Sequence, residues 1–462
     1  MPSRRQFMSS SLSSVAMLSI VGTSGGKLLG DSNPLSFSTK IDAGNLAMRI
    51  RNYEDLVARE SLLASSSWET DAVALQHDAK IAWQYFENWS KRGHGMVPAT
   101  SYFENGKLQG YPLVTMWDVA TYINAIVSAR LLGLISANTF ESAAEKTLAL
   151  LKNSNLTFAG GQLPKIEITV GALPVSRNGF DSADTGRLLT SLKILNNMLG
   201  DAKDIANLVS KWNFSNVIND RALMNVDDNR RLKFQPNSYS HYAVQGYRLW
   251  GIGVDDIYER AEGNFDHVAK QALYEEVAER GRIATEPNTT RLIEIGDDVA
   301  TGFLCNILLA AQIKRFENVG KLTCVSEGIL DETPWFTYQA CQFNGSFDEQ
   351  WAIDTSSTEN SAIVASKGDR LRTVSTKGCF MWHAVRPGRY SKQLLSFARE
   401  NARTKNIGFA SNIYETSQKA TYCSDVNTNG LILEALTFIN YNRSSLLEIS
   451  AQFGGISDDL KR

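Results

Sequence analysis

The 462-residue chain has little proline: 10 residues, about 2% against a usual ~5%. So few chain breakers argue against a many-turned sandwich and for long helices. It also lacks an excess of either charge, with 47 Lys+Arg against 49 Asp+Glu. No positive surplus is on hand to hold a polyanion, so nucleic acid is not an expected partner. The five cysteines, Cys305, Cys324, Cys341, Cys379 and Cys423, form no CxxC and adjoin no histidine pair at zinc spacing. They read as small buried hydrophobes, and neither a metal nor a cofactor is expected. No run of 18 apolar residues follows the first thirty positions, so no stable membrane span is expected there. What the chain does have is 43% hydrophobic residues, enough to bury a core and to exclude disorder as its main state.

Residues 1–30 carry Arg4 and Arg5, then Gln6 and Phe7, then a short apolar stretch from Leu12 to Val21. A charged start, a short apolar run and small residues make a secretory signal. The Ser-Arg-Arg-x-Phe core resembles the twin-arginine export signal. That resemblance implies the twin-arginine machinery as a partner and the bacterial periplasm as destination. Residues 31–65 read as a polar lead-in, and 66–462 as one domain, because no Gly/Ser-rich or Pro-rich linker divides them.

Helical patterns follow in series. One runs from about Trp68 to Trp89. The next carries Val119, Ile123, Ile126, Val127, Leu131 and Leu134 on one face, and Ser136 to Lys152 reads as its antiparallel partner. Others start at Asp181, at about Tyr239, at Asp256 and after Asp297. Shorter ones cover 361–366, 376–383 and 391–403, and 426–440 closes the series. Helical hairpins without an internal boundary predict an all-α chain, an (α/α)6 barrel with short β and loop insertions.

Several helix starts are acidic: Thr115-Met116-Trp117-Asp118, Asp181-Ser182-Ala183-Asp184, and the run from Glu294 to Asp298. A carboxylate there caps the helix and complements its dipole, which explains any one of them. In a ring of parallel inner helices the starts share one rim, and the acids then face a common cavity. Glycosidic hydrolysis needs facing carboxyls, one protonated and one ionised.

TMWDVATYINAIVSARLLGLIS at 115–136, GFDSADTGRLLTSL at 179–192 and HYAVQGYRLWG at 241–251 supply a first set of motifs. GKLTCVSEGILDETPWFTYQ at 320–339, STKGCFMWHA at 375–384, GFASNIYE at 408–415 and VNTNGLILEAL at 426–436 complete it. As a set, in this order, they resemble the bacterial family called domain of unknown function 3131, found in envelope and exopolysaccharide-related proteins. More distantly, that family is similar to endo-β-1,2-glucanase-type glycoside hydrolases with (α/α)6 barrels. The resemblance departs at Ser240-His241, where a glutamate is expected before Tyr242.

The site expected from these motifs contains Asp118, Asp184, Glu327 and Glu415 as catalytic candidates. Asp118 and Asp184 sit at helix starts, whose dipole favours the ionised form, and suit the base. Glu327 is the leading general acid and Glu415 the second. Trp117, Arg187, Trp335, Tyr338, Tyr414, Asn427 and Asn429 are expected to contact sugar, although aromatics serve cores equally well. Glu434, inside an apolar helix, must be paired or neutral and reads as a brace for Asn427 or Asn429. The function expected is a periplasmic glycoside hydrolase acting on an envelope or exopolysaccharide glucan, with a poly- or oligosaccharide as partner. A non-catalytic polysaccharide-binding protein is the alternative. A lyase using Tyr414, His241 and Arg187 is the third.

Overall fold

The computed structural model describes residues 43–64, 71–91, 95–171, 177–200, 202–228, 230–233, 238–258, 265–280, 282–343, 350–354, 363–364 and 366–454. The expected signal at 1–30 lies outside them, as does half of the short helix expected at 361–366.

The protein is helix-rich. In chain order the helices are α1 (Ala43–Ala64), α2 (Ala72–Ser90), α3 (Met116–Leu131), α4 (Ala137–Lys152), α5 (Ser182–Met198), α6 (Lys203–Ser210), α7 (Ser238–Arg248) and α8 (His267–Arg280). There follow α9 (Thr285–Glu294), α10 (Val299–Val319), α11 (Thr376–Val385), α12 (Arg389–Asn401), α13 (Val426–Asn440) and α14 (Leu446–Gly454).

Six of them close a cycle. Helix α3 packs on α5, α5 on α7, α7 on α9, α9 on α11, α11 on α13, and α13 back on α3. These helices are buried nearly all round: every residue of α9, and all of α13 through Ile439. A helix buried on all faces belongs inside. Most of the others bury one face, while α10 is buried over most of its length. Helix α4 hides Phe140, Ala144, Thr147, Leu148 and Leu151, the spacing of a single helical face, against α3. Helix α2 covers α13, α10 covers α9 and α12 covers α11. Helix α10 is long and apolar enough to cross a membrane, but most of it is buried within this packing.

The lead-in expected over 31–65 is corrected over residues 43–64, which form α1; 31–42 lie outside the described residues. Leu46, Ile50, Tyr53 and Leu56 recur at helical spacing and bury against the core, where α1 packs on α10, α8 and α12. Helix α9 was also missed. Its sequence TEPNTTRLIE is rich in poor helix formers, but Pro287 falls in the first turn, where its missing N–H has no partner to lose. Glu294 is therefore the end of a helix, not an acidic start; Asp298 caps α10. Helix α8 starts at His267 rather than at Asp256.

Short strands deliver the chain into the ring. Leu113–Thr115 leads into α3, Gly179–Phe180 toward α5, Arg282–Ile283 toward α9, Thr373–Ser375 into α11 and Ser424–Asp425 into α13. Each pairs antiparallel with another strand, so the helix starts are tied by backbone bonds. At the opposite end α14 lies against α5, α9 and α13, across the ring.

The centre of the ring is polar. Arg187 of α5 is fully buried. Its Nη2 donates to Glu294 at 2.8 Å and to Glu434 at 3.2 Å, and its Nη1 to Thr121 at 2.7 Å and Asn427 at 3.1 Å. Trp117 covers the guanidinium, 4.5 Å from ring centre to Cζ. Tyr242 of α7 donates its hydroxyl to Glu294. Burial raises Glu434 well above the carboxylate range, with Glu294 beside it adding to the rise. Glu434 is thus held toward its protonated form beside one buried cation. Glu434 braces Arg187 and Asn124 directly, rather than the asparagines 427 and 429.

Two consequences are measurable. A Cβ at Gly186 would lie 2.5–2.7 Å from Ala243 of α7. Gly186→Ala is expected to cost about 1–3 kcal/mol in urea unfolding by forcing α5 and α7 apart; unchanged stability would refute that contact. Arg187→Ala is expected to cost about 3–5 kcal/mol, because it strands the acidic pair. Equal stability of wild type and variant in the same titration would show that the network is not coupled.

Candidate active site

The starts of the six ring helices meet around one cavity of about 110 Å³. The second helical residue of four of them lines it: Trp117 of α3, Tyr239 of α7, Lys377 of α11 and Asn427 of α13. The second residue of α9, Glu286, lies beneath and is fully buried. Asp118 and Asp184 enter from the third positions of α3 and α5, and Asp425 from the cap of α13. The facing wall is a hairpin. Glu327 opens strand Glu327–Ile329 and pairs in register with Tyr338 of strand Phe336–Gln342. Phe336 and Tyr338, two residues apart, share one strand face, and Trp335 adjoins them.

Local sequence fixes these positions. Thr115 and Asp118 form a reciprocal capping box at α3. Asp181 accepts from the N–H groups of Ala183 and Asp184 at α5, Ser375 from Gly378 at α11, and Asp425 from Thr428 at α13. Trp335 holds a left-handed φ of 63°, strained for an aromatic residue and placed at the cavity wall.

The acids differ in protonation. Burial pushes Glu286 up, but the Lys377 ammonium paired with it, and Arg187, outweigh this and hold it below the usual carboxylate range. Trp117 Nε1 and Asn427 Nδ2 donate to its Oε1 at 2.8 and 2.6 Å. Glu327 behaves oppositely. Burial, then the charge of Glu286, raise it to about 8. Lys377 at 3.8 Å and the Tyr239 hydroxyl, donating at 3.0 Å, oppose the rise without reversing it. Burial lifts Asp118 to about 7 despite the Thr115 N–H, and burial with Asp181 and Asp118 lifts Asp184 well above its ordinary range. The expectation that helix dipoles keep Asp118 and Asp184 ionised is thus overturned. A dipole term of about 0.3–1 kcal/mol is smaller than the desolvation opposing it.

Among the residues expected from sequence, Asp118, Asp184, Glu327, Trp117, Trp335, Tyr338 and Asn427 come together around the cavity. Arg187 lies beneath Trp117 and does not line it. Glu415 is elsewhere: its carboxylate is held by Arg315 at 2.9 Å and Lys321 at 3.3 Å. The Tyr414 hydroxyl accepts the Asp331 N–H at 2.8 Å, outside the cavity. Asn429 joins Phe409, Ser424 and Asp425 around the α13 start and acts as a brace. His241 is locked between Asp256 at 2.8 Å and Thr301 at 2.9 Å. None of the side chains that would serve a lyase, Tyr414, His241 and Arg187, lines the cavity.

Glu286, Lys377, Tyr239 and Asp425 were not singled out from sequence. Lys377 had a signal, a lone cation at the start of an apolar helix. Glu286 had little, since its helix went unseen. Among the described residues no group of three His, Cys, Asp or Glu side chains is arranged to hold a metal ion. The five cysteines are free and buried.

Solved structures share this fold. The endo-β-1,2-glucanase from Chitinophaga pinensis, solved with sophorotriose and glucose, matches at 14% identity and a TM-score of 0.54, covering 83% of this chain and 97% of its own. A variant of the endo-β-1,2-glucanase from Talaromyces funiculosus, solved with β-1,2-glucan, matches at 12% identity and 0.53, covering 88% and 93%. A provisionally assigned glucoamylase from Bacteroides caccae matches at 12% and 0.54, covering 82% and 97%. These likenesses show a glycoside-hydrolase-like fold. Comparison with curated proteins gives no match. The family profile described as protein of unknown function DUF3131 matches residues 77–442, and the chain belongs to that family.

Proposed function

We propose that the protein is an (α/α)6-barrel glycoside hydrolase that cuts a neutral glucan by paired-carboxylate catalysis. The observation that carries this reading is Glu327, a cavity-lining carboxyl raised to about 8 beside a Glu286 held ionised by Lys377. A carboxyl kept protonated in an apolar, aromatic-walled cavity is a proton donor. In this reading Glu327 gives its proton to the leaving glycosidic oxygen. Asp118, poised at about 7, takes a proton from the water whose oxygen bonds to the anomeric carbon. One water is added across the broken bond, and both carboxyls are reset through solvent.

Glu286 and Lys377 position the acid: the fixed negative charge keeps Glu327 protonated. Asp184, raised well above its ordinary range, offers a hydroxyl donor to the sugar. Trp117, Trp335 and Tyr338 offer ring faces and Asn427 an amide edge. The cavity is lined by four carboxyls and one ammonium, which suits an uncharged sugar better than a polyanion. The neighbours' ligands make β-1,2-glucan the first glucan to test. The Arg4-Arg5 pattern supports export by the twin-arginine route and action on an envelope or exopolysaccharide glucan in the periplasm.

Purified protein is expected to release reducing ends from β-1,2-glucan or another member of a β-glucan panel. Glu327→Gln should lower kcat by about 10²–10⁴-fold while the variant stays folded by circular dichroism. Full activity in that variant would end the proposal; binding without cleavage by the wild type would favour the non-catalytic carbohydrate-binding alternative.

The pH profile supplies a second test. Asp118 must be ionised, so activity is lost as pH falls through about 7. Glu327 must be protonated, so activity is lost as pH rises through about 8. A narrow bell between these limits is expected in kcat/KM, and its alkaline limb should vanish or move in residual Glu327→Gln activity. A profile flat from pH 6 to pH 9 would remove both assignments.

A further inference from the structure

The cavity does not end at its own lining. Strand Thr100–Glu104 pairs with Ser424–Asp425 on one side, placing Thr100 opposite Asp425, and with strand Lys107–Tyr111 on the other, placing Thr100 opposite Tyr111. All three of these residues line the cavity. Side chains two apart share a strand face. Tyr102 and Gln109, cross-strand partners, are therefore the next pair along the cavity-facing side. Beyond them Tyr422 meets Tyr102 edge to face, with centroids 6.3 Å apart at 85°. Tyr422 keeps 46% of its surface exposed.

Its position is fixed from two sides. The Tyr422 N–H donates to Asp331 Oδ1 at 2.9 Å, and Asp331 N–H donates to the Tyr414 hydroxyl. Glu332, next in the chain, is paired with Lys367 and Arg370. The loop that ends in Trp335 and the segment that carries Tyr422 are thus one tied assembly at the mouth. An exposed tyrosine held this firmly, in line with a half-buried tyrosine that leads to an aromatic-walled cavity, is a surface with a direction.

We propose that Tyr111, Tyr102 and Tyr422, with the Gln109 amide, form an outer binding strip for the glucan chain beyond the sugars held in the cavity. Sugar rings lay their C–H faces on aromatic rings, and tyrosine gives a rigid apolar face with a polar edge. The strip carries no formal charge, in keeping with a neutral chain. It rests on the hydrolase reading for its ligand, but it makes a separate claim: length of substrate, not chemistry, is what it senses.

The test compares β-1,2-glucan polymer with sophorotriose, using wild type and Tyr422→Ala in the full chain. Tyr422 is half exposed, so its truncation should leave folding intact, which circular dichroism checks. Tyr422→Ala is expected to lower kcat/KM on polymer about fivefold to tenfold, mainly through KM, and to leave sophorotriose unchanged. Equal rates on both substrates, or equal losses on both, would overturn the strip. If neither substrate is cut, affinity electrophoresis through β-1,2-glucan separates the two claims. Retardation of wild type that Tyr422→Ala loses would keep the strip and sink the hydrolase. Retardation unchanged by the substitution, or absent in wild type, would overturn the strip.

Discussion

One buried cation organises the molecule. Arg187 has no solvent to shield it, so its charge must be answered inside the ring, and it is answered from several helices at once. Glu294 comes from α9, Glu434 and Asn427 from α13, and Thr121 from α3, with Trp117 laid over the guanidinium. The planar fork of arginine makes this possible; a lysine would present a point charge to the same partners. Because the partners come from three other struts of the ring, α3, α9 and α13, the spacing of these helices is set by one side chain. The helix starts above are held in place from below.

On that base the site works by contrast. The same low-polarity surroundings act on every carboxyl at the rim, yet Lys377 sits closest to Glu286 and only within 3.8 Å of Glu327. Glu286 alone among these acids is drawn below its ordinary range, and its charge then helps raise Glu327. Helix dipoles converge there too, but they are spread over six starts and are weak beside desolvation. Protonation states that look like separate assignments are one linked arrangement, with Lys377 as its source.

Much of the architecture was legible because inner and outer helices obey different sequence rules. The stripe of Phe140, Ala144, Leu148 and Leu151 announces a one-sided helix, and the all-round apolar run of α13 announces an inner one. Asp118, Asp184 and Asn427 were legible as cavity residues because they sit at helix starts; Glu327, on a strand, was legible only through the Val-Ser-Glu motif of the family resemblance. Helix α9 was not, since the Thr and Asn of TEPNTT speak for a loop and only tertiary enclosure makes them helical. Glu415 misled for a related reason. Its motif is real, but whether a carboxyl faces a cavity or a pair of cations is decided by Arg315 and Lys321, which are remote in sequence.

Helix α14 bears on how such a protein could handle a polymer. With Arg187, Glu294 and Glu434 fully buried beneath the cavity and α14 packed on α5, α9 and α13, the interior is a blind cup rather than a tunnel. A chain cannot be threaded through a blind cup and ratcheted along. For the proposed reaction, substrate must dip in and product must back out by the same opening. Each turnover then includes a departure, and successive cuts on one chain depend on the grip of the mouth, not on enclosure.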